Sequence, residues 1–408
     1  MLKNIIESSP KELDLTNEQH SEFIIEAVEA ILEKGYTISE LEKLEDELIA
    51  DSANSNIFIL LALKIAKSKI LSSKVAEPLF ISVVFAVYKE HNRIKKKSEH
   101  PHGEDFLVKK ANQLEWLFNS QPDINWELII VDDGCPERSG EIAQSIIDEN
   151  KLNDKVRVLQ LSEAIDQQLP PAKSIESTND SQKGGSIVYG MWDAVQHKRE
   201  KDHIVVYTDA DLSTHLGQLM LLVNPLLNQD KLVAIGSRRE PKSVVIKKGS
   251  RNDRGKMFIY LWKRLIPNLG EIIDTQCGFK AFRSEIIPEI IVEMIEQKFA
   301  FDIELLLRTH LIEKNSIAKV AIAWIDSEEA STTTDIQPYL PMLKQIVKMY
   351  KKYFDENELS NEFASFIESL NDEEFDKLLN NIPKDITNRE PMEFTDYDAV
   401  RVSSFRLN

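Results

Sequence analysis

The chain has 408 residues, of which 42% are hydrophobic and 29% are charged, as is ordinary for a soluble globular protein with one large α/β domain and appendages. Its formal net charge of −18 excludes a general nucleic-acid binder, because such proteins carry a basic footprint. Cys135 and Cys277 fit neither a zinc pattern nor a disulfide framework, so we expect a reduced, cytoplasmic compartment. We expect neither a signal peptide nor a transmembrane segment, which needs roughly 18 to 20 apolar residues.

Residues 1–77 are predicted to form a helical N-terminal subdomain. Thr37-Ile38-Ser39-Glu40 has the spacing of a capping box, and apolar residues follow at helical intervals. The apolar run at 57–70 is interrupted by lysines and is predicted to be an amphipathic helix. We expect the subdomain to pack on the rest of the chain or on a second copy in a homo-oligomer.

Residues 78–354 alternate between strand and helix patterns. Strands are predicted at 80–87, 127–134, 156–161, 203–208 and 232–236, with helices at 108–118, 139–148 and 187–197. This alternation predicts an α/β fold with a mostly parallel sheet and helices on both faces. Residues 355–408 are predicted to be an acidic extension, helical at first and then irregular.

Three polar segments are predicted to be loops. The inserts 89–105 and 164–183 are expected on the surface near the ligand edge of the sheet, where mobile lids often occur. Residues 331–335 carry several hydroxyl groups and precede a helix predicted at 339–354. They either line the edge of the active site or cap that helix.

Carboxylates follow two of the predicted strands. Asp132 and Asp133 lie at the carboxyl end of the second strand, and Asp209 and Asp211 come directly after the fourth. Because alternate residues of a strand point the same way, Asp209 and Asp211 can converge on one point. Buried carboxylates need a compensating cation, and oxygen ligands suit Mg²⁺ or Mn²⁺ bound to nucleotide phosphates. The sequence therefore predicts a metal–diphosphate site.

Four further motifs carry polar groups at strand or helix ends. Lys183-Gly184-Gly185-Ser186 opens a helix, where glycines allow close backbone approach and the lysine favours an anion. The others are Ala86-Val87-Tyr88-Lys89-Glu90, Asp274-Thr275-Gln276-Cys277-Gly278-Phe279-Lys280 and Phe301-Asp302-Ile303-Glu304. Each motif alone has an ordinary structural explanation, but their order and spacing together point to one site.

The set of motifs resembles the inverting, family-2 type of nucleotide-sugar glycosyltransferase with the Rossmann-like GT-A fold. Within that family it is most similar to the dolichyl-phosphate glucosyltransferase and mannosyltransferase branch. The resemblance covers about residues 80 to 325, and the block at 274–280 is its most specific part. Gly236-Ser237-Arg238 also belongs to the pattern.

The resemblance implies a role for each matching residue. The residues that it places at the nucleobase and ribose are Ala86, Tyr88, Glu90, Asp132, Asp133, Lys183 and Gly184. It places Asp209 and Asp211 at the metal and the donor diphosphate. Those that would neutralise phosphate charge are Arg238, Arg251, Arg254 and Lys280. Gln276 and Asp302 would line the sugar or acceptor side. A hydroxyl acceptor needs a general base, for which Asp302 is the first candidate and Glu304 the second, whereas a phosphate acceptor needs none.

The predicted function is inverting transfer of a sugar from a UDP-sugar, with UDP-glucose favoured, to a soluble acceptor. A soluble acceptor is favoured because lipid-acceptor enzymes usually carry membrane helices. The first alternative is a polyprenyl-phosphate acceptor reached from the membrane surface, on which the apolar residues 257–266 could lie as an amphipathic helix, although core packing is favoured for them. A second alternative is a non-catalytic module that binds sugar nucleotides.

Two other enzyme classes compete with this prediction. A haloacid-dehalogenase-like phosphatase carries an Asp-x-Asp-x-Thr motif, which Asp209-Ala210-Asp211-Leu212-Ser213 approximates. That motif normally opens the first strand of its domain, however, and three predicted strands come earlier here. A sugar nucleotidyltransferase shares the donor type, but its Gly-rich, Arg-containing first loop is absent.

Overall fold

The protein is described from a computed structural model, which covers residues 9–10, 12–50, 56–197, 199, 201–246, 252–326, 338–355, 357–395 and 400–405. Its strands are β1 (Leu79–Val87), β2 (Ile124–Asp132), β3 (Val156–Gln160), β4 (Asp202–Thr208), β5 (Val233–Ser237), β6 (Val244–Ile246), β7 (Phe279–Arg283), β8 (Ile317–Ala321) and β9 (Ala323–Ile325). Seven of them form one sheet in the order β3-β2-β1-β4-β7-β5-β8, and β6 pairs with β9 in a separate parallel pair. Only β7 is antiparallel to its neighbours in the large sheet.

The helices in the first half of the described chain are α1 (Glu18–Leu32), α2 (Ile38–Ala50), α3 (Ile57–Ser72), α4 (Phe106–Phe118), α5 (Ser139–Glu149), α6 (Leu161–Asp166) and α7 (Gly184–Gln196). Those in the second half are α8 (Leu219–Asn228), α9 (Asn252–Leu265), α10 (Ile287–Ile291), α11 (Phe301–Ile312), α12 (Tyr339–Tyr353), α13 (Glu358–Ser369), α14 (Asp372–Leu379) and α15 (Lys384–Thr387).

Helices cover both faces of the large sheet. Successive residues of a strand point to opposite faces, so Val83 and Val84 of β1 enter two separate hydrophobic cores. The core that contains Val84 is closed by α7, α9, α11 and α12. The core that contains Val83 is closed by α3, α4, α5 and α8. The predicted α/β fold, with a mostly parallel sheet, helices on both faces and helical regions at both ends of the chain, is confirmed.

The N-terminal helices pack against the sheet domain through α3. The capping box is confirmed, because the Thr37 backbone N–H donates to Glu40 Oε2 at 2.8 Å and the Glu40 N–H donates to Thr37 Oγ1 at 3.3 Å. The prediction that α3 is amphipathic is wrong, since it is buried almost all round between α1, α2 and α8. Lys64 and Lys67 are tolerated there because both pair with the buried Glu45 carboxylate, at 2.8 and 2.6 Å.

Helix α9 lies in the core. Its residues 257–262 are all buried, and the helix packs against α12, α13 and α15 of the C-terminal region. Core packing is therefore confirmed, and the placement of 257–266 on a membrane surface is wrong. Within the described residues, no helix has both the length and the apolar composition that crossing a bilayer requires.

The two inserts are more ordered than predicted. Residues 164–183 include part of α6 and two short 3₁₀ turns, and Ala172 and Ile175 are buried, so this insert is only partly a surface loop. The insert at 89–105 buries Ile94 in the core. The loop at 331–335 lies outside the described residues. The domain boundaries at 77 and 354, the homo-oligomer and the cytoplasmic location stay predictions.

Candidate functional site

The candidate site lies at the carboxyl ends of β1, β2 and β4. The chain leaves β1 toward β2 and β3 on one side and returns to β4 on the other, which creates a crevice between β1 and β4. Ligands of open α/β sheets bind in such a crevice. Because Val87 pairs with Asp132 across β1 and β2, the loops that follow these strands start side by side.

Asp132 and Asp133, at the end of β2, hold the loops around the crevice together. Asp132 is buried and accepts hydrogen bonds from the backbone N–H groups of Cys135 at 2.7 Å and Gly140 at 2.5 Å. Asp133 accepts from the Lys183 N–H at 2.9 Å and from Ser186 Oγ at 2.7 Å. Burial raises the pKa of Asp133, against the effect of these hydrogen bonds. Both carboxylates are thus committed to protein donors, and their contact with a nucleotide stays a prediction.

The amino end of α7 is held close to both the crevice and the loop before α11. The Gly185 N–H donates to the carbonyl of Gln297 at 2.8 Å, and a Cβ at Gly184 would lie 2.6 Å from the Lys298 carbonyl oxygen. Lys183 has a φ of +93°, and its side chain reaches the end of β4. There its ammonium group donates a short hydrogen bond to Asp209 Oδ1.

Asp209 is held between Lys183 and the backbone at Gly278. The Asp209 N–H donates to the Gly278 carbonyl at 3.0 Å. A Cβ at Gly278 would come within 2.2 Å of Asp209 Oδ1, so only glycine leaves room for the carboxylate. Burial alone would raise the pKa of Asp209, but the Lys183 ammonium outweighs it and holds that pKa below the usual range.

Asp211 lies beside Asp209 with one oxygen fixed and the other facing a cation. Its Oδ1 accepts from the N–H and Oγ of Ser213, at 3.0 and 2.6 Å. Its Oδ2 lies 3.8 Å from Arg93 Nη2, which is close enough for attraction and too far for a hydrogen bond. The Asp209–Asp211 pair is therefore partly exposed and held by cations on both sides.

The donor set fits a hard divalent cation that is also coordinated by a ligand. Asp209 and Asp211 offer carboxylate oxygens, which Mg²⁺ and Mn²⁺ prefer. In the part of the chain that the structure describes, no group of three or more His, Cys, Asp or Glu side chains could hold a metal ion alone. The two carboxylates therefore need phosphate oxygens or water to complete a coordination shell.

A second pair of opposite charges is buried next to this one. Lys280 Nζ donates to Asp302 Oδ1 at 2.7 Å and to the Cys277 carbonyl at 2.5 Å. Burial raises the pKa of Asp302, against the attraction of Lys183, and lowers the pKa of Lys280 to about 7. Lys280 is thus bound to Asp302. These contacts do not support the predicted role of Lys280 in neutralising the donor diphosphate.

Glu304 does not fit the role of a general base. It is fully buried, and its oxygens accept from the N–H groups of Ile295 at 2.9 Å and Glu296 at 2.8 Å and from the Tyr353 hydroxyl at 2.8 Å. Through these contacts Glu304 connects α11 to α12 and to the loop at 295–296. Asp302 remains as the candidate base.

The neighbouring Glu296 predicts a pH dependence of stability. Burial, followed by the charge of Glu304, raises the pKa of Glu296 from 4.5 to about 7. The folded state therefore holds a proton that the unfolded state releases, and stability falls as pH rises from about 4.5 through about 7. Replacing Glu296 by glutamine removes this loss, so between about pH 5 and about pH 8 we expect the variant to gain up to about 3 kcal/mol of unfolding free energy over the wild type.

Denaturant unfolding at both pH values measures this difference. The glutamine keeps an oxygen for the Lys298 N–H, which donates to Glu296 at 2.6 Å. The exposed Glu289→Gln is the matched control and should show no pH-dependent difference. A Glu296→Gln effect of equal size at both pH values would contradict the assignment.

The predicted nucleobase segment is only partly available to a ligand. Tyr88 is 46% exposed at the edge of the crevice, with Lys89 Nζ 5.5 Å from the centre of its ring, and such an exposed ring can stack on a base. Ala86 is half-buried beside it. Glu90 is buried and paired with Arg93 at 3.1 Å, and its N–H donates to Ser139 Oγ at 3.0 Å. Glu90 is thus paired within the protein, and its contact with a nucleotide stays a prediction.

The remaining predicted residues have different surroundings. Asp274 binds Arg238 through two side-chain hydrogen bonds of 2.9 and 2.7 Å, so the positive charge of Arg238 is already balanced. Gln276 has a buried Nε2 with no hydrogen-bond partner in the described part of the chain, which leaves a donor for a sugar hydroxyl. Arg254 lies half-buried in the first turn of α9, and Arg251 lies outside the described residues.

The sequence analysis did not identify three charged residues that lie near Asp211. Arg93, Glu104 and Lys110 are all buried, and each interacts electrostatically with the carboxylates around Asp211. The polar composition of the insert at 89–105 indicated solvent exposure. Only the unusual charge density of the insert beside a predicted strand end could have suggested them.

Comparison with known proteins gives a family match over the middle of the chain. Residues 112–290 match the model of the family described as Glycosyl transferase family 2. Human dolichyl-phosphate beta-glucosyltransferase is 26% identical over 282 residues, which cover 67% of this chain and 75% of the relative. The Saccharomyces cerevisiae dolichyl-phosphate beta-glucosyltransferase is 24% identical, with 68% and 76% covered.

Two solved structures are also similar in outline. Glucosyl-3-phosphoglycerate synthase from Mycobacterium tuberculosis, solved with Mn²⁺, UDP and glucosyl-3-phosphoglycerate, is 16% identical with a TM-score of 0.46, over 72% of this chain and 86% of that one. Mannosyl-3-phosphoglycerate synthase from Rubrobacter xylanophilus is 14% identical with a TM-score of 0.44, over 70% and 76%. The family match contains the turn after β2, the start of α7, the Asp209–Asp211 pair and the block at 274–280.

Proposed function

Since this chain belongs to the family-2 glycosyltransferases, we propose that it transfers glucose from UDP-glucose with inversion, using a divalent cation at the donor diphosphate. Family membership indicates an enzyme that uses a nucleotide-sugar donor. The family match favours this function over a phosphatase or a nucleotidyltransferase, and a non-catalytic module that binds sugar nucleotides stays the alternative. The choice of glucose is supported by the sugar in the names of the human and yeast relatives.

The observation that carries the proposal is the contact between Lys183 and Asp209. Lys183 comes from the start of α7 and Asp209 from the end of β4, so two motifs distant in sequence meet at one point. Asp133 fixes the Lys183 backbone at 2.9 Å, which aims the ammonium group into the crevice. An ammonium beside two carboxylates can turn to a phosphate oxygen when a diphosphate enters.

The residues around the Asp209–Asp211 pair would contact different parts of the donor. Asp209 and Asp211 would hold Mg²⁺ or Mn²⁺, which would supply positive charge to the leaving diphosphate. Lys183 contributes a further positive charge on the α7 side. Tyr88 offers an exposed ring to the base, and Gln276 offers a free donor to the sugar.

For the acceptor we propose a polyprenyl phosphate. The human and yeast relatives are named for a dolichyl-phosphate acceptor. A phosphate is ionised at neutral pH and attacks without a general base, which agrees with an Asp302 carboxylate that is already bound to Lys280. In this role Asp302 holds the Lys280 side chain in place through their hydrogen bond.

A hydroxyl acceptor, carried by a soluble molecule, is the second candidate. It is favoured by the burial of Asp302, because a carboxylate with a raised pKa next to a reaction site is typical of a general base. In that case Asp302 would take the acceptor proton while Lys280 stabilises its charged form.

The variant Asp302→Asn separates the two acceptors. The asparagine oxygen can still accept from Lys280, so we expect the fold and UDP affinity to be kept. Transfer to a polyprenyl phosphate should fall less than about tenfold, because no proton is removed from a phosphate. Transfer to a hydroxyl acceptor that depends on this base should fall by about 10² to 10⁴-fold.

The assay measures transfer from UDP-glucose to a polyprenyl phosphate and to soluble alcohols, with UDP titration as the control for donor binding. A polyprenyl phosphate that is not glucosylated by the wild type, together with a glucosylated alcohol, would overturn the proposed acceptor. Loss of UDP binding in both forms would instead overturn the donor site.

A further inference from the structure

The insert at 89–105 forms a closed loop packed behind the Asp209–Asp211 pair. The Glu104 N–H donates to the Arg93 carbonyl at 2.8 Å, and the Asp105 N–H donates to the Lys95 carbonyl at 2.9 Å. Gly103 lies so close to this backbone that a Cβ there would meet the Lys96 carbonyl oxygen at 2.3 Å. The insert is thus folded in on itself and fixed next to the donor site.

Arg93 places a positive charge of this loop next to Asp211. Its guanidinium group is buried and lies 3.0 Å from Glu104 Oε1, 3.1 Å from Glu90 Oε2 and 3.8 Å from Asp211 Oδ2. Two carboxylates hold the group in place, and the third is the aspartate that would bind the cation. The contacts of Glu90 and Glu104 therefore orient Arg93 toward Asp211.

Lys110 is a second buried cation next to the insert. It lies on α4, directly after the insert, and is 0% exposed. Its Nζ has no hydrogen-bond partner within the described residues, and it lies 5.9 Å from the centre of the Phe85 ring. Burial lowers the pKa of Lys110 to about 8, and the attraction of Asp211 and Asp209 opposes that fall. A buried ammonium without a hydrogen bond is costly, so these carboxylates are its compensation.

We propose that Arg93 and Lys110 are positioning residues for Asp211 and set the affinity of the donor site for its divalent cation. This inference rests on the proposed function, in which Asp209 and Asp211 hold that cation. Each buried positive charge repels a second cation and attracts a diphosphate. Removing one charge must therefore raise the affinity for the metal and lower the affinity for metal-free UDP. Loss of packing alone would not move these two affinities in opposite directions.

The test compares the full-length wild type with Lys110→Met by calorimetric titration. Methionine fills the space of the lysine side chain without a charge. We expect Mn²⁺ alone to bind the variant about tenfold more tightly than the wild type, and UDP in EDTA to bind about tenfold more weakly. Arg93→Gln should change both affinities in the same directions.

Lys109→Met is the matched control on the same helix. Lys109 Nζ donates to the Thr16 carbonyl at 2.8 Å, and its charged neighbours are Asp105, Glu18 and Glu104 instead of the Asp209–Asp211 pair. Both affinities of this control should stay within about twofold of the wild type. A wild type that binds UDP with Mn²⁺, combined with unchanged affinities in Lys110→Met, would overturn the inference alone. A wild type that binds UDP under no condition would overturn the proposed function and the inference with it.

Discussion

Replacing Asp209 by asparagine is expected to lower kcat/KM for sugar transfer by about 10³-fold or more. The asparagine keeps the backbone hydrogen bond to Gly278 and the size of the side chain, so the protein should fold normally. It loses the negative charge that holds Lys183 and that would bind the divalent cation. Steady-state kinetics with UDP-glucose, and calorimetry with UDP and Mn²⁺, measure the two consequences.

Asp123→Asn is the control for this variant. Asp123 is exposed just before β2, at the opposite end of the strands from the candidate site. Its replacement should leave kcat/KM within about twofold of the wild type. Wild-type turnover in Asp209→Asn would remove Asp209 from the donor site.

Replacing Gly278 by alanine is expected to damage the same site without removing any functional group. The added Cβ would lie 2.2 Å from Asp209 Oδ1 and 2.4 Å from its Oδ2, so the carboxylate must move away from its present position. Because a displacement of about 1 Å in an active site can cost about 10²-fold in rate, we expect a loss of at least that size. The measurement is kcat/KM together with the affinity for UDP and Mn²⁺.

Gly255→Ala provides the matched glycine control. A Cβ at Gly255 would meet no atom within 4 Å, and the residue lies in helix α9. Alanine is the better helix former by about 1 kcal/mol, so this variant should be fully active and slightly more stable. Full activity in Gly278→Ala would show that the position of Asp209 does not matter for transfer.

The parallel strands of the sheet could be predicted because they are long apolar runs. The strand predicted at 80–87 is found at Leu79–Val87, and the one predicted at 203–208 is found at Asp202–Thr208. Strand β7 was missed because Lys280 stands within it, paired with Asp302 from α11. Strand β8 was missed because it lies at the sheet edge with half-exposed side chains and no apolar run.

In the candidate site, too, some features could be predicted from the sequence and others could not. The position of Asp209 at the ligand edge follows from the rule that ligands bind at the carboxyl ends of parallel strands, whereas its contact with Lys183 comes from the structure alone. The partners of buried charges do not follow from any local pattern. Glu304 turns to backbone N–H groups, and Glu90 turns to Arg93, because the loops that carry those donors pack there in three dimensions.

The role of Lys280 illustrates why such pairings escape a motif. A lysine near a phosphate site is expected to bind phosphate, and its neighbours in sequence are compatible with that role. In the structure Lys280 lies in the middle of the sheet, where a lysine needs a carboxylate partner, and Asp302 at the start of α11 is within 2.7 Å. The motif thus contains the lysine of an ion pair whose aspartate, Asp302, comes 22 residues later.

The most direct test of the account is a calorimetric titration of the wild-type protein with UDP, in the presence of Mg²⁺ or Mn²⁺ and again in EDTA. The arrangement of Asp209, Asp211 and Lys183 predicts binding that is clearly tighter with the metal than without it. The same titration of Asp209→Asn should lose the metal-dependent part of the affinity. The absence of UDP binding by the wild type with either metal would contradict the account.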